Sequence, residues 1–418
     1  MQTTLNQHHE IENDNSFAFH QAIVIGSGIA GLTMARVLAD HVANVTIIER
    51  DYRPDGESVK DRTGVPQAHH PHNLQPQGQQ ILERLFPGLT EELVAARAVR
   101  LGEPDDVAFH FEGSWHTAPT NGRHAAVSCS RSLLEQTIYQ RICAHPRIEI
   151  LHGYEVSGLY AQKGGDRVGG VSLRSRAGAP GGQMMLDGDL VVDASGRRSR
   201  APQWLAELGF QPPEEWHIDA LVGYASRLYR RPDDFDQEWQ MLYIRPTPPD
   251  GTRGGIIVPM EDDRWHVALI GVGGDYPPTN EADFLTFARS LPVPQLYETI
   301  KNAEPLSRIH GFRRADNRLR RYDRLPHNLE GFLVSGDAVY ALNPLYAQGM
   351  TLALLACRAL ANVLENHPGR ANGDVDGLTQ TFQKRLSKMT ESHWRLATQT
   401  DWQWDATSVD DNTDMLLV

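Results

Sequence analysis

Cysteine is scarce in this chain of 418 residues: Cys129, Cys143 and Cys357 are the whole set, and no two form a C-x-x-C pair. An odd, dispersed set excludes a disulfide framework and a cysteine-based zinc site, and fits a reducing compartment. Long apolar runs are missing as well. No stretch reaches the roughly 18 apolar residues that would suggest a membrane span. Nor is there an excess of basic charge, since 40 Lys+Arg stand against 53 Asp+Glu for a net charge of −13. That balance lacks the electrostatic footprint of a nucleic-acid binder and fits a soluble cytoplasmic enzyme. The first 19 residues are polar, with His8, His9, Glu10, Glu12 and Asp14, and read as a mobile tail and not as a signal peptide.

What is present begins at Ala22. The apolar run Ala22-Ile23-Val24-Ile25 has the composition of a strand buried on both faces, and Gly26-Ser27-Gly28-Ile29-Ala30-Gly31 comes directly after it. In this G-x-G-x-x-G, Gly26 permits a tight turn, Gly28 lets backbone approach a pyrophosphate, and Gly31 lets the next helix lie close on the strand. The helix start aims unpaired N–H groups at the phosphates. A second strand over 44–48 ends at Glu49, an acid placed to bind the hydroxyls of an unphosphorylated adenosine ribose. The context, more than the glycines alone, makes this a dinucleotide site. A second fingerprint is lacking: Gly271-Val272-Gly273-Gly274 runs into Asp275-Tyr276-Pro277-Pro278, which cannot open a helix at once.

Between Arg50 and Leu74 the chain is polar and irregular, with Arg53-Pro54-Asp55-Gly56 and then Arg62 to His72. His69, His70 and His72 invite a metal, but Pro71 prevents their alignment on a helix and no carboxylate or cysteine stands at ligand spacing, so none is expected. Hydrogen-bonded or solvated loop histidines are the first reading, a cofactor-facing role the second. Helices are expected after Pro76, from Thr90 to about Ala98, and from Ser130 with Leu133, Leu134, Ile138 and Ile142 on one face. Residues 105–128 alternate around Gly113 and Asn121-Gly122 as a hairpin would. Arg131 lies in a first helical turn, where a cation opposes the dipole; a positioned anion or a plain surface arginine both account for it. Strands over 217–230, 239–246, 254–260 and 264–271 suggest an antiparallel sheet outside the nucleotide-binding unit. On the first of these, Tyr224 and Ser226 point one way, and Ala225, Arg227 and Tyr229 the other.

The third informative stretch is residues 331–350. A buried strand ends at Gly336-Asp337, a loop passes through Asn343-Pro344, and a long apolar helix starts near Gln348. With the fingerprint and Arg131-Ser132-Leu133-Leu134-Glu135, it resembles the corresponding motifs of flavoprotein monooxygenases of the para-hydroxybenzoate hydroxylase and squalene epoxidase type. The resemblance covers about residues 20–400. It implies that Gly26, Ser27, Gly28, Ile29, Ala30, Gly31, Glu49 and Arg50 hold the ADP half of FAD, with Val156 at the adenine. It also implies that Arg131 contacts FAD, that Asp337 binds the ribityl chain, and that Pro344, Gln348, Gly349 and Met350 face the flavin pyrimidine edge. Two departures stand out. The middle motif reads Asp193-Ala194-Ser195-Gly196-Arg197 where relatives commonly have D-G, and residue 347 is alanine where the flavin loop usually has glycine.

The implied fold is α/β: a discontinuous FAD-binding Rossmann-type, glutathione-reductase-like domain (20–104, 124–200 and 325–372) with an inserted, mostly antiparallel β-sheet substrate domain (105–123 and 201–324). A C-terminal helical segment and acidic tail (373–418) complete it. The implied function is an FAD-dependent monooxygenase that inserts one oxygen atom from O2 into a small or medium apolar metabolite through a flavin C4a-(hydro)peroxide, in secondary metabolism. NAD(P)H would supply electrons, directly or through a separate flavin reductase. A flavin-dependent reductase or dehydrogenase of a polyprenyl substrate and a flavin-dependent halogenase are the alternatives. The halogenase lacks support from its tryptophan motif, because Trp402-Gln403-Trp404 lies at the C-terminus with Asp405 next to it. Tyr224, Arg227 and Tyr346 are candidate pocket residues; no His, Asp or Glu stands out as a base, so no catalytic residue is assigned.

Overall fold

A computed structural model of the protein describes residues 17–52, 66–117, 126–176, 182–313, 315–410 and 413. Its centre is a five-stranded parallel sheet in the order Phe332–Val334, Leu190–Asp193, Phe19–Ile25, Val42–Glu49, Ile148–His152. Ala22, Ile23 and Val24 are fully buried, as a parallel strand covered on both faces must be. Phe19, assigned to the tail from sequence, is already part of this strand and buried; the tail as far as residue 16 lies outside the described residues. The helix Ile29–Leu38 leaves the glycine turn so closely that a Cβ on Gly31 would stand 1.8 Å from the Gly26 carbonyl oxygen. Gly26 itself is at φ +99°, and a Cβ there would meet the Ala194 carbonyl at 2.9 Å.

The 18-residue helix Gly349–Asn366 packs on the first helix, with the Cys357 thiol donating to Thr33 Oγ1 at 3.1 Å. The helix Leu378–Asp401 buries Phe382, Leu386, Trp394 and Ala397 in the same core. The C-terminal helical region is thus a layer of the nucleotide-binding domain. The helix runs to Asp401, and the segment after it is more than an acidic tail: Trp404 is buried and Ser408–Val409 pairs with Glu215–Asp219.

The inserted domain is a seven-stranded sheet in the order His310–Phe312, Gly223–Arg230, Arg264–Gly271, Arg253–Met260, Met241–Ile244, Val107–Phe111, Ser114–Thr117. Every pairing is antiparallel except Met241–Ile244 with Val107–Phe111. Helices Glu281–Arg289 and Gln295–Ile300 cover its outer face through Trp265, Leu269, Phe284 and Leu296. The hairpin turns at Glu112-Gly113, both with positive φ, while Asn121-Gly122 lies outside the described residues.

Two expectations are corrected. The single strand over 217–230 is two strands, because Asp219 Oδ1 accepts the Leu221 N–H at 2.8 Å and Leu221 turns to φ +51°. Its first part, Glu215–Asp219, joins a separate four-stranded sheet with Asn317–Arg320, Tyr340–Ala341 and Ser408–Val409. The boundaries of the inserted domain at 201 and 324 therefore do not follow the packing. Ala201, Trp204, Leu205, Trp216, Leu319 and Tyr322 all bury themselves in the core of the nucleotide-binding domain. Among the described residues no helix is long and apolar enough to cross a membrane.

Candidate active site

The glycine turn is fastened from the far side by Glu49. Its Oε2 accepts the Ser27 N–H at 2.9 Å and the Ser27 hydroxyl at 2.6 Å, while Oε1 takes the Asp51 N–H at 2.8 Å. The acid expected at the ribose thus also shapes the turn, a role that spacing alone does not reveal. Gly28 differs from its two neighbours, for a Cβ there would meet no protein atom within 4 Å. Packing does not demand glycine at 28; a phosphate group approaching the backbone would. The helix beyond has no side-chain cap, which leaves its first N–H groups available for an anion. Arg50 comes straight after Glu49 and draws down the Glu155 carboxyl, after the larger effect of the Arg174 hydrogen bond, so Arg50 stands near Val156 on the strand Tyr154–Ala161.

Arg131 opens the helix Arg131–Cys143 and is nearly buried. Its Nε donates to Glu135 Oε2 at 3.2 Å, one turn on, and this carboxylate supplies an anion that answers the unfavourable dipole position. Asp337, half-buried at the end of the parallel strand, makes no side-chain hydrogen bond among the described residues. Desolvation raises its pKa, opposed by the charges of Arg197, Arg131 and Arg318. A desolvated carboxylate with free lone pairs matches a ribityl chain, whose hydroxyls would satisfy it. Asp193, in contrast, is fully occupied by the Ser195 N–H at 2.9 Å and the Ser199 hydroxyl at 2.5 Å, and Arg197 is paired with Asp316 at 2.5 Å. The middle motif builds the turn beneath the site.

The loop before the Gly349 helix is a framework of side-chain hydrogen bonds. Asn343 Oδ1 accepts the Leu345 N–H at 3.0 Å and the Tyr224 hydroxyl at 3.2 Å, and Asn343 Nδ2 reaches Asp401 at 3.1 Å. Tyr346 donates its hydroxyl to Asp401 Oδ1 at 2.5 Å. The helix start carries no side-chain cap, and Gln348 Oε1 and Thr351 Oγ1 are buried without a hydrogen-bond partner among the described residues. Orphaned acceptors and N–H groups here fit the pyrimidine edge of a flavin, which offers both donors and acceptors. Pro344 is exposed on the loop; Gly349 and Met350 are half-buried at the helix start. Ala347 takes φ +50° and ψ +34°, the left-handed conformation for which glycine is the usual residue. Ala347→Gly is expected to raise stability by up to about 1 kcal/mol, since relief of αL strain outweighs glycine's extra chain entropy. Urea denaturation of the apoprotein checks it, and a net loss would mean that Ala347 is unstrained.

Facing this loop is the inner face of the seven-stranded sheet. Tyr224 bonds Asn343, and the Tyr243 hydroxyl donates to the Leu345 carbonyl at 3.4 Å. Ser226 Oγ meets His70 Nδ1 at 2.7 Å, and His70 packs against Phe312 at 5.4 Å between ring centroids. Arg227 goes the other way: it is paired with Glu281 at 2.5 Å and donates to the Ser307 carbonyl, on the outer face. Of the three candidate pocket residues, the structure brings Tyr224 and Tyr346 together at the loop and turns Arg227 away. The histidines are locked in place. His72 Nδ1 donates to the His70 carbonyl at 2.8 Å, and His266 Nε2 to the His69 carbonyl at 2.9 Å. Burial lowers the pKa of His70 and His72 to about 3 and of His266 to about 4, so all three are neutral at physiological pH. Among the described residues no group of three or more His, Cys, Asp or Glu could hold a metal ion.

Comparison with known proteins agrees with these parts. The FAD binding domain family model matches residues 20–374. Protein Rv3254 of Mycobacterium tuberculosis is 32% identical over 90% of this chain and 78% of its own. The 6-methylpretetramide 4-monooxygenase of Streptomyces rimosus is 30% identical over 47% of this chain and 43% of its own. Among solved structures, PqsL of Pseudomonas aeruginosa, described as a probable FAD-dependent monooxygenase, superposes with a TM-score of 0.62. It is 16% identical, over 93% of this chain and 97% of that one. Flavin-dependent halogenases share the fold. A family match across most of the chain and a site whose glycine turn, carboxylate and uncapped helix fit FAD lead to one conclusion: the chain belongs to the FAD binding domain family.

Proposed function

We propose that this enzyme inserts one oxygen atom from O2 into a small or medium apolar metabolite of secondary metabolism. The observation that carries the reading is the meeting of an uncapped helix start at Gln348 with an aromatic sheet face, Tyr224, Tyr243 and Phe312. FAD, once bound, supplies the oxygen chemistry. The chain's own contribution is positional. Gly26 to Gly31 and Glu49 hold the ADP end, Arg131 and Asp337 the middle, and the N–H groups after Gln348 favour negative charge on the ring. Tyr224, Tyr243 and the neutral histidines crowd water out of the space in front of the loop. Electrons come from NAD(P)H, docking transiently or delivered by a separate reductase, because the sequence holds a single dinucleotide fingerprint.

The test is a screen of secondary metabolites with holoenzyme, reductant and isotopically labelled O2, read by mass spectrometry. The expected product is one oxygen heavier and carries the label. A reduced substrate without oxygen uptake would assign the enzyme to the reductases instead, and a halide-dependent product to the halogenases.

A further inference from the structure

One segment crosses between the two halves of the site and is pinned at both ends. At its start His70 Nδ1 meets Ser226 Oγ at 2.7 Å, and the His69 carbonyl accepts from His266 Nε2 at 2.9 Å, so this end is fixed to the inner face of the seven-stranded sheet. At its other end Gln75 Nε2 donates to the Tyr346 carbonyl at 3.3 Å, which fixes it to the flavin loop. Leu74 strengthens that second anchor. The helix Pro76–Leu85 sits so tightly on the helix Gly349–Asn366 that a Cβ on Gly78 would stand 2.5 Å from Leu74 Cδ1 and 3.0 Å from Thr351 Oγ1. Pro71, His72 and Asn73 span the distance between the anchors.

His72 is placed by charge as well as by chain. The Arg131 charge acts on both His72 and Asp337, the carboxylate that matches the ribityl chain. A Cβ on Gly349 would lie 3.9 Å from Asp337 Oδ1, so the ribityl position and the helix start adjoin. The imidazole therefore stands beside the two features that fit the flavin end of FAD. Its tautomer is set. A carbonyl can only accept, so the 2.8 Å contact of Nδ1 with the His70 carbonyl puts the proton on Nδ1 and leaves Nε2 a bare lone pair. Nε2 has no hydrogen-bond partner among the described residues, and the residue is half-buried. Desolvation, reinforced by the Arg131 charge, disfavours a second proton. His72 thus offers an acceptor, and no donor, to the group it faces.

We propose that His72 Nε2 is a flavin contact that accepts a hydrogen bond from the N5–H group of the reduced ring, and so biases the bound cofactor toward its reduced form. Oxidised flavin carries only a lone pair at N5; two electrons and a proton from solvent place an N–H there. Against the oxidised ring the histidine sets lone pair against lone pair, and against the reduced ring it is paired. A ribityl hydroxyl or the flavin N3–H would show no such difference, because each is a donor in both redox states. The Nδ1 anchor matters as much as the acceptor, since a ring free to flip could turn an N–H toward oxidised N5 and cancel the preference. The inference rests on the FAD assignment and does not depend on oxygen insertion.

The reduction potential of the FAD-loaded enzyme, measured anaerobically against a redox dye and without substrate, tests this. His72→Phe keeps a flat ring and removes the acceptor. Its ratio of affinities for reduced over oxidised FAD is expected to fall about tenfold, which lowers the potential by about 30 mV for a two-electron couple. Affinity for oxidised FAD, read by fluorescence titration, should not fall. His72→Gln is the second variant, and it carries the test alone if the first does not fold. Its carboxamide can accept from the reduced ring and donate to the oxidised one, so its potential should also fall, with oxidised FAD held at least as tightly. An equal loss of affinity for both forms would give the contact to a hydroxyl or to N3–H and overturn the proposal, as would an unchanged or raised potential. No O2 or substrate takes part, so failure here leaves oxygen insertion standing, and failure of oxygen insertion leaves this result untouched.

Discussion

Gly28→Val is expected to leave the apoprotein folded and to remove most of its affinity for FAD, whereas Gly31→Ala is expected to cost the fold itself. The two glycines are three residues apart in one motif, yet the space around them differs completely. At Gly31 a Cβ would lie 1.8 Å from the Gly26 oxygen and 2.9 Å from its carbon, both rigid backbone atoms. The helix Ile29–Leu38 would have to lift from the sheet, against the burial of Leu32, Met34 and Ala35, at a cost of at least about 3 kcal/mol. At Gly28 a Cβ meets nothing, and the backbone is at φ −73°, which any residue adopts. The fold loses only the difference between glycine and valine at an N-cap, about 1 kcal/mol. Cofactor binding loses more. A branched side chain occupies the approach of the phosphates to the helix start, and losing even one or two charge-assisted hydrogen bonds lowers affinity about 100-fold. Fluorescence titration with FAD and urea denaturation of the apoproteins separate the two effects. Parallel losses of stability and affinity in the two variants would sink the assignment of Gly28 to the phosphates.

The contrast shows which parts of the molecule are legible in the chain. The parallel strand, the turn and the helix are contiguous, so the pattern from Ala22 to Gly31 is readable in the chain even though Glu49 and Ala194, far along it, fasten the turn. Arg131 is half legible: the spacing to Glu135 is that of a helical pair, but only burial shows that the pair is desolvated. Alternation along the Gly223 strand correctly separates Tyr224 and Ser226 from Arg227, yet periodicity cannot say which face meets the cofactor. That choice is made by partners far away in sequence, Asn343 for Tyr224, His70 for Ser226 and Glu281 for Arg227. The break at Leu221 is hidden because both halves are apolar and strand-like. Its signal is a single Asp219 side chain satisfying a backbone N–H two residues on. Asp401 is not legible at all, since an acid at the end of a polar helix face reads as solvated.

Asp401 nonetheless gives the second large expected effect. Only 1% of it is exposed, and three donors converge on its carboxylate: Asn317 Nδ2 at 2.6 Å, Asn343 Nδ2 at 3.1 Å and the Tyr346 hydroxyl at 2.5 Å. Removing it by Asp401→Ala leaves three buried donors unpaired, and a loss of roughly 3 to 5 kcal/mol is expected. The network also fixes the loop that faces the flavin, so FAD affinity should fall about tenfold or more, through Asn343 and Tyr346 and not through any contact of Asp401 itself. Unchanged FAD affinity would confine Asp401 to holding the C-terminal segment, whose Thr407 hydroxyl donates to the Asp401 carbonyl. The pH dependence gives an independent check. Burial raises the Asp401 pKa from the ordinary 3.8 to about 6, with the hydrogen bonds from Tyr346, Asn343 and Asn317 opposing the rise and the charge of Asp219 adding to it. An acid whose folded pKa lies above its unfolded value holds its proton more tightly when folded. Its contribution is therefore most favourable below about pH 4 and is lost as pH rises toward 6, by on the order of 3 kcal/mol. Asp401→Asn keeps the shape but cannot ionise, so it escapes that loss. The destabilisation it causes should be smaller above pH 6 than below pH 4 by a similar amount, measured by urea denaturation at both. A penalty that is the same at the two pH values would mean that the carboxylate is not desolvated, and that the loop is held by hydrogen-bond geometry alone.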